Sequence, residues 1–182
     1  MRKPIAIISA FIFIVTLVAA QISAAQERSE TERAQERIER QIHHELLTLP
    51  YYGVFDHLEY RVDGRAVTLS GHVTRPTLKS DAERAVRDIQ DVEEVANNIE
   101  VLPPSSADDA IRWAVYRAIY SESGPLFRYG LGSHARVHII VDSGRVTLVG
   151  QVDREADKTF AVLSAKQVPG TFGVEDRITV AG

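Results

Sequence analysis

The chain has 182 residues, of which 21 are lysine or arginine and 25 are aspartate or glutamate, so its formal net charge at pH 7 is −4. An acidic protein lacks the broad basic surface of most nucleic-acid-binding proteins, and that class is therefore disfavoured. The chain contains no cysteine, which excludes disulfides, thiolate metal sites and cysteine nucleophiles.

The N-terminal segment has the pattern of a secretory signal peptide. Arg2 and Lys3 precede an uncharged apolar stretch at residues 5–20, and small residues follow at 22–25. The pattern predicts cleavage after Ala25, so that residues 1–25 form the signal peptide and the exported chain keeps 19 basic and 25 acidic residues, a net charge of −6. The alternative is an uncleaved membrane anchor, because the apolar stretch is only slightly shorter than the ~18–20 residues that span a bilayer.

An internal repeat divides the rest of the chain into two copies. The heptapeptide VTLSGHV at residues 67–73 returns as VTLVGQV at 146–152. Around it, residues 62–101 align with 141–180 without a gap, and thirteen of the forty positions are identical. Each copy therefore predicts one folding unit. The units are residues 33–103 and 106–181, joined by the Pro- and Ser-rich segment 102–108.

Each copy begins with a predicted helix that has one apolar stripe. The residues of the stripe recur at helical spacing: Ile38, Ile42 and Leu46, then Ile111, Val115 and Ile119. Pro50 ends the first of these helices. In the first copy a strand then alternates apolar and charged residues over positions 58–62, Asp63-Gly64 turns the chain, and the repeated heptapeptide forms the second strand.

A second helix and a last strand complete each copy. Thr74 and Asp153 are N-cap residue types that precede this helix. The first copy buries one face of it: Leu78, Ala82, Ala85, Val86 and Ile89. Gly71 and Gly150 take inward positions of their strands, which indicates close helix-on-sheet approach or a bulge. The predicted fold class is α+β, with two tandem small α-β-β-α-β domains, each a three-stranded mixed sheet with both helices on one face.

The strands of both copies resemble a known family. The pattern V-x-L-x-G-x-V, the following helix and a closing V-x-x-V-x-N-x-I-x-V at residues 92–101 resemble the BON domain. The second copy departs from it with Thr171 for the first valine and Asp176 for the asparagine. The resemblance covers roughly residues 33–181. It implies a periplasmic, non-enzymatic tandem-BON protein that binds phospholipid or envelope proteins, although fold membership alone does not fix function.

The residue types that could carry catalysis lack the necessary arrangement. His134 and His138 stand at the entry to a strand, where positions four apart are roughly 13 Å from each other and cannot share an ion. His43 and His44 are helix neighbours that point in different directions. Asp108-Asp109 is a helix start favoured by capping and by the dipole. We therefore expect no enzyme activity, no cofactor and no metal site.

The two copies differ most in how apolar their outer surfaces are. On the second helix, the second copy has Phe160, Val162 and Leu163 where the first has charged residues. On the outer sheet face it has Ile140 and Val149, whereas the first copy has Glu59 and Ser70. Extra apolar surface on a small domain indicates that something covers it. The first domain, a second copy of the chain and a separate partner all remain open as the covering group.

The first helix of the second copy is the predicted contact site. Its face opposite the core carries Trp113, Tyr116, Arg117 and Tyr120, and residues 110–140 have a net charge of +3. These residue types anchor interfaces and membrane surfaces. In tandem-BON relatives this helix is associated with lipid, and the resemblance extends that expectation to five residues: Arg112, Trp113, Tyr116, Arg117 and Tyr120.

The loops after the first helices also carry aromatic residues. Tyr51 and Tyr52 are predicted to plug the end of the first core, whereas Phe127 and Tyr129 could either plug the second core or insert at a lipid interface.

The predicted function is binding of an anionic phospholipid surface by the second domain, with the first domain as a scaffold. The alternative is a protein-interaction or chaperone-like module for envelope proteins, and peripheral membrane association and homo-oligomerisation are both left open.

Overall fold

The computed structural model describes residues 30, 32–122, 124–130 and 135–181. The predicted signal peptide and His134 lie outside these residues. Within them the chain forms two α+β units, each in the predicted order helix, strand, strand, helix, strand. No helix of the described part is long and apolar enough to cross a membrane.

The first domain packs two helices on one side of its sheet. Helix α1 covers residues 32–47 and is followed by β1 (His57–Asp63), β2 (Ala66–Val73) and α2 (Pro76–Arg87). The last strand comes in two pieces, β3 (Glu94–Asn97) and β4 (Glu100–Val101), which pair in parallel with β2 in one register, while β1 pairs with β2 antiparallel. The predicted stripe of α1 and the inward residues of β2 and α2 form one core.

The second domain repeats this architecture with an unbroken last strand. It consists of α3 (Ser106–Ile119), a short 3-10 helix (Phe127–Tyr129), β5 (Val137–Asp142), β6 (Arg145–Val152), α4 (Glu155–Lys166) and β7 (Gly173–Val180). Strand β6 lies between antiparallel β5 and parallel β7. The register is shared between the copies, since Val67 pairs with Val95 as Val146 pairs with Val174.

The helix starts differ from the prediction. The N-cap positions of α2 and α4 are Arg75 and Arg154, so Thr74 and Asp153 do not cap these helices. Thr74 instead donates from its backbone N and its Oγ1 to the Asp56 carboxylate, at 2.7 and 2.8 Å. A capping residue must direct its oxygen back into its own helix. Here the Thr74 side chain is hydrogen-bonded to Asp56 in the neighbouring loop instead.

The start of α3 is capped by Ser105, whose side chain accepts from the backbone N of Asp108. Asp108 is buried, and its carboxylate accepts from the backbone N atoms of Ser143 and Gly144, at 3.1 and 2.8 Å. It therefore holds the β5–β6 turn against the helix rather than capping the helix itself.

The two repeated glycines are required by the neighbouring strand rather than by a close helix. Gly71 has φ 113° and Gly150 has φ 141°. A Cβ on Gly71 would lie 2.1 Å from the His57 carbonyl oxygen, and one on Gly150 would lie 2.0 Å from that of Arg136. Both the conformation and the space therefore exclude a side chain.

The two domains contact each other through a loop and the linker. The backbone N of Ile139, on edge strand β5, donates to the carbonyl oxygen of Val54 in the first domain, at 2.8 Å. Linker residue Leu102 packs with Ile140 and Val149 on the outer face of the second sheet. The loop before β1 thus lies along the edge of the second sheet and places first-domain residues beside α3.

Candidate functional site

Helix α3 presents part of the predicted contact face to solvent. Its inward residues Ile111, Val115 and Ile119 lie in the second core. On the opposite face Trp113 is 53% exposed, Arg117 is exposed and Tyr116 is half-buried. Three of the five predicted site residues are therefore accessible.

The other two predicted site residues are buried: the placement of Tyr120 on the exposed face is wrong, and Arg112, which the family resemblance added to the contact residues, is not exposed either. Arg112 donates from Nη2 to the Val141 carbonyl oxygen at 2.6 Å and pairs with Asp109 at 2.5 Å. Tyr120 donates to the Val137 carbonyl oxygen at 2.6 Å, and burial raises the pKa of its hydroxyl. Both side chains reach sideways from the helix to β5, which helical spacing alone does not reveal.

A first-domain residue completes the aromatic part of the site. Phe55 packs edge-on against Trp113, with 5.0 Å between the ring centroids, and also lies 6.1 Å from the ring of Tyr116. Trp113 and Tyr116 are themselves 5.7 Å apart. We call Phe55, Trp113, Tyr116 and Arg117 the aromatic surface. The first domain therefore covers one side of Trp113 and leaves the rest of it open.

The loop that carries Phe55 is held by a buried carboxylate. Asp56 is 3% exposed and accepts hydrogen bonds from the backbone N of Gly53 as well as from Thr74. Val54 and Phe55, beside it in sequence, pack against the core of the second domain. The first domain thus fixes the position of the Phe55 ring, and the ring packs against the second domain.

The predicted local positive charge is largely neutralised. Three arginines of the 110–140 segment pair with aspartates that lie outside it in sequence: Arg112 with Asp109, Arg128 with Asp157, and Arg136 with Asp153. The guanidinium of Arg136 also lowers the pKa of the Asp153 carboxyl. Arg117 makes no hydrogen bond or ion pair with any residue that the structure describes. It is the cation of this helix that can meet an anion outside the protein.

The other apolar positions of the second domain have separate explanations. Ile140 and Val149 are covered by Leu102. Phe160 and Val162 are half-buried against their own core, whereas Leu163 is 53% exposed. The comparison of the two copies indicated apolar surfaces on the first helix, the second helix and the outer sheet face. The outer sheet face is covered by the linker, so it is a contact within the protein.

The loop aromatics divide between core and surface. Tyr129 is 2% exposed, and its hydroxyl donates to Asp157 and accepts from the backbone N of Asp153, so it plugs the second core. Phe127 is half-buried. Tyr52 packs against the first core as predicted, but Tyr51 is 73% exposed and does not.

Histidines meet at the contact between the domains. The rings of His57 and His138 are 5.7 Å apart, and His57 Nε2 lies 2.9 Å from Glu59. Burial lowers the pKa of His57, against the opposing effect of Glu59. No group of three or more histidine, aspartate or glutamate side chains in the described part of the chain is arranged to hold a metal ion.

Two aromatic residues were not predicted from the sequence: Phe55, which is half-buried, and Phe172, which is exposed. The apolar pair Val54-Phe55 lies just before β1, outside the alternating strand pattern, and it packs against the core of the second domain. Phe172 is 83% exposed and stands where the first copy has Glu93. Aligning the two copies at their offset of 79 residues shows this replacement in the sequence alone.

Comparisons with known proteins agree with the duplicated architecture. The sequence pattern of the BON domain family matches residues 31–103 and again residues 108–182. No curated protein matches the chain. BON domains are generally associated with phospholipid and envelope binding.

Among solved structures, the chain is similar to CdsD, a structural protein of the type III secretion system of Chlamydia trachomatis. The identity is 14%, with 80% of this chain and 92% of that chain covered and a TM-score of 0.29. The C-terminal domain of CdsD is 15% identical, with 79% of this chain and 96% of that chain covered and a TM-score of 0.28. With TM-scores this low, neither likeness bears on the fold or the function of this chain.

Proposed function

The chain belongs to the BON domain family, with one BON domain in each half, and from this premise we propose that it is a non-enzymatic periplasmic protein that binds anionic phospholipid through its second domain. The observation that carries the proposal is the exposure of Trp113 beside Arg117, on a helix whose other arginine is paired and buried. A tryptophan edge and a free guanidinium are the groups that settle at the interface of an anionic bilayer.

The aromatic surface suits peripheral association rather than insertion of a whole helix. Trp113 and Tyr116 carry apolar rings with a polar edge, and Arg117 is one helical turn from Trp113. Such a surface binds through modest apolar burial together with attraction to negative headgroups, and the second contribution weakens with salt. We therefore expect moderate, salt-sensitive binding.

The single tryptophan of the chain makes this binding directly measurable. Vesicles that contain phosphatidylglycerol should shift the Trp113 emission to the blue, whereas phosphatidylcholine vesicles should leave it unchanged. In cosedimentation, Trp113→Ala and Arg117→Glu should each weaken binding by about fivefold or more. The matched control is Arg40→Glu, the same charge change on the first helix of the other domain, which should bind like the wild type.

A module that binds envelope proteins is the second candidate function. It is favoured by Phe172, which is 83% exposed, and by Leu163, which is 53% exposed on α4. Neither residue belongs to the aromatic surface. If the wild type fails to sediment with anionic vesicles even at low salt, the lipid proposal is wrong and this candidate replaces it.

A further inference from the structure

We propose that the first domain supplies part of the same lipid-contact surface, so that an anionic membrane is bound by residues of both domains. The first-domain contribution is Tyr51, Phe55 and Arg75. This inference rests on the proposed function and extends it to a domain that the sequence comparison marked only as a scaffold.

Arg75 connects the first-domain residues to the aromatic surface. A groove of about 390 Å³ runs between the domains. Its lining includes Phe55, Arg75, Pro103, Pro104, Arg112 and Trp113. The groove thus places Arg75 of the first domain across from Trp113 of the second, with Phe55 in contact with the tryptophan ring.

Tyr51 extends this surface beyond the groove. The guanidinium carbon of Arg75 lies 4.7 Å from the centroid of the Tyr51 ring, and the ring is 73% exposed. The backbone of Tyr51 has φ 68°, a conformation that costs a bulky residue of order 1–3 kcal/mol. Because Tyr51 buries little of its ring and has a strained backbone, it contributes little to the stability of the free protein. Its exposed ring is therefore available to contact a partner.

The charges of the groove favour an anionic partner. Arg112 is neutralised by Asp109, so these two groups contribute no net charge. Arg75 is exposed and has no ion-pair partner among the residues that the structure describes. Arg75 in the groove and Arg117 one helical turn from Trp113 thus provide two positive charges that have no ion-pair partner among the described residues. Aromatic rings near such arginines match the headgroup region of an anionic phospholipid bilayer.

The two sets of residues are held in a fixed relation to each other. Asp56 braces the loop that carries Phe55, and the hydrogen bond from Ile139 to Val54 joins this loop to β5. Tyr51 lies two residues before the braced Gly53. A membrane that contacts Trp113 would therefore also lie near the groove that Arg75 lines.

A charge substitution at Arg75 tests the inference without disturbing the fold. Arg75 occupies the N-cap of α2 but makes no side-chain cap hydrogen bond, and a negative charge at a helix N-terminus is favourable. We expect Arg75→Gln to weaken sedimentation with phosphatidylglycerol vesicles about fivefold, and Arg75→Glu to weaken it further. The control Arg61→Glu changes an exposed arginine of β1 that has no ion-pair partner in the described part of the chain, and it should bind like the wild type.

A probe at Tyr51 reports contact directly, because the chain has no cysteine of its own. Tyr51→Cys labelled with an environment-sensitive fluorophore should shift to the blue with anionic vesicles, whereas the same label at Arg61→Cys should not. If Trp113 responds to vesicles while Arg75→Glu binds normally and the Tyr51 label stays silent, the first domain makes no contact and only this inference falls. If the wild type binds no vesicles, both fall. Equal binding to a soluble acidic peptide would replace the membrane by a protein partner.

Discussion

The carboxylate of Asp56 is a single group on which two domains depend. It accepts hydrogen bonds from Gly53 and from two donors of Thr74, and it is nearly inaccessible to water. Phe55, its neighbour in sequence, contacts Trp113. Removing the carboxylate would therefore leave partly buried donors unsatisfied in the first domain and loosen a ring that packs on the second.

Asp56→Ala should lower the free energy of unfolding by about 2–4 kcal/mol, because three hydrogen bonds to a carboxylate are lost and their donors stay partly buried. The measurement is urea unfolding followed by circular dichroism, with Trp113 emission recorded under native conditions. Asp63→Ala is the matched control, since Asp63 is exposed in the β1–β2 turn, and it should change the stability by less than about 0.5 kcal/mol. Equal stability of the two variants would show that Asp56 does not brace the loop.

The residues of the candidate site could be predicted only in part. Helical spacing placed Trp113 and Arg117 on the exposed face, because it depends only on the angle at which a side chain leaves the helix. It placed Tyr120 there wrongly, and neither the spacing nor the family resemblance revealed that the long side chains of Arg112 and Tyr120 turn back to carbonyl groups of β5. The net charge of residues 110–140 predicted a positive surface that is largely neutralised, because sequence position does not show which charges are close in space. The aspartates that neutralise the arginines are near in space and outside the segment in sequence.

Among the elements, the central strand was the most predictable, because the same backbone constraint acts in both copies. Gly71 and Gly150 hold equivalent positions opposite Leu58 and Val137. A side chain there would collide with a carbonyl oxygen of the adjacent strand. The repeated V-x-L-x-G-x-V pattern therefore records a requirement of the sheet and says nothing about a ligand.

Gly150→Ala should destabilise the second domain by at least about 2–3 kcal/mol, since the new Cβ cannot fit without moving β5. Trp113 lies in this domain, so its emission follows the unfolding in urea. Gly64→Ala provides the control. Its φ is also positive, at 61°, but a Cβ there meets no described atom within 4 Å, so the cost should be only about 1 kcal/mol. Comparable losses in both variants would mean that conformation alone, and not the collision, requires the glycine.

The last strand shows how a sequence departure preserves an element. Asn97 accepts from the backbone N of Ile99 and donates to the carbonyl oxygen of Lys79 on α2. In the second copy Asp176 accepts from Ile178 in the same way and pairs with Lys158 on α4, at 3.3 Å. An amide and a carboxylate thus make equivalent links between strand and helix, by a hydrogen bond in one copy and an ion pair in the other.

At the scale of the whole molecule, the arrangement of the two domains could not be read from the repeat. The repeated residues form the core of each copy. The arrangement of the domains depends instead on residues that differ between the copies or lie in the linker. Leu102 lies in the linker, and Phe55 lies in a loop where the second copy has a different sequence. A comparison of the copies indicated that Ile140 and Val149 needed a cover, but it could not identify the linker as that cover.

The contact between the domains also brings two histidines together. His57 on β1 faces His138 on β5, with Glu59, His72 and Arg177 close by. Burial lowers the pKa of His57 below its ordinary value of 6.5, and Arg177 and His72 act in the same direction. Glu59 opposes them without overcoming the effect of burial. The folded protein therefore holds His57 neutral at a pH where the unfolded chain already binds a proton.

Stability should consequently fall as the pH drops below about 6.5, because the unfolded state binds more protons than the folded state in that range. The free energy of unfolding, measured in urea at pH 7.5 and pH 5.5, should decrease on acidification in the wild type and decrease less in His57→Gln. His44→Gln, at an exposed position of α1, should retain the full wild-type decrease. If His57→Gln shows the same pH dependence as the wild type, the acid sensitivity does not come from His57.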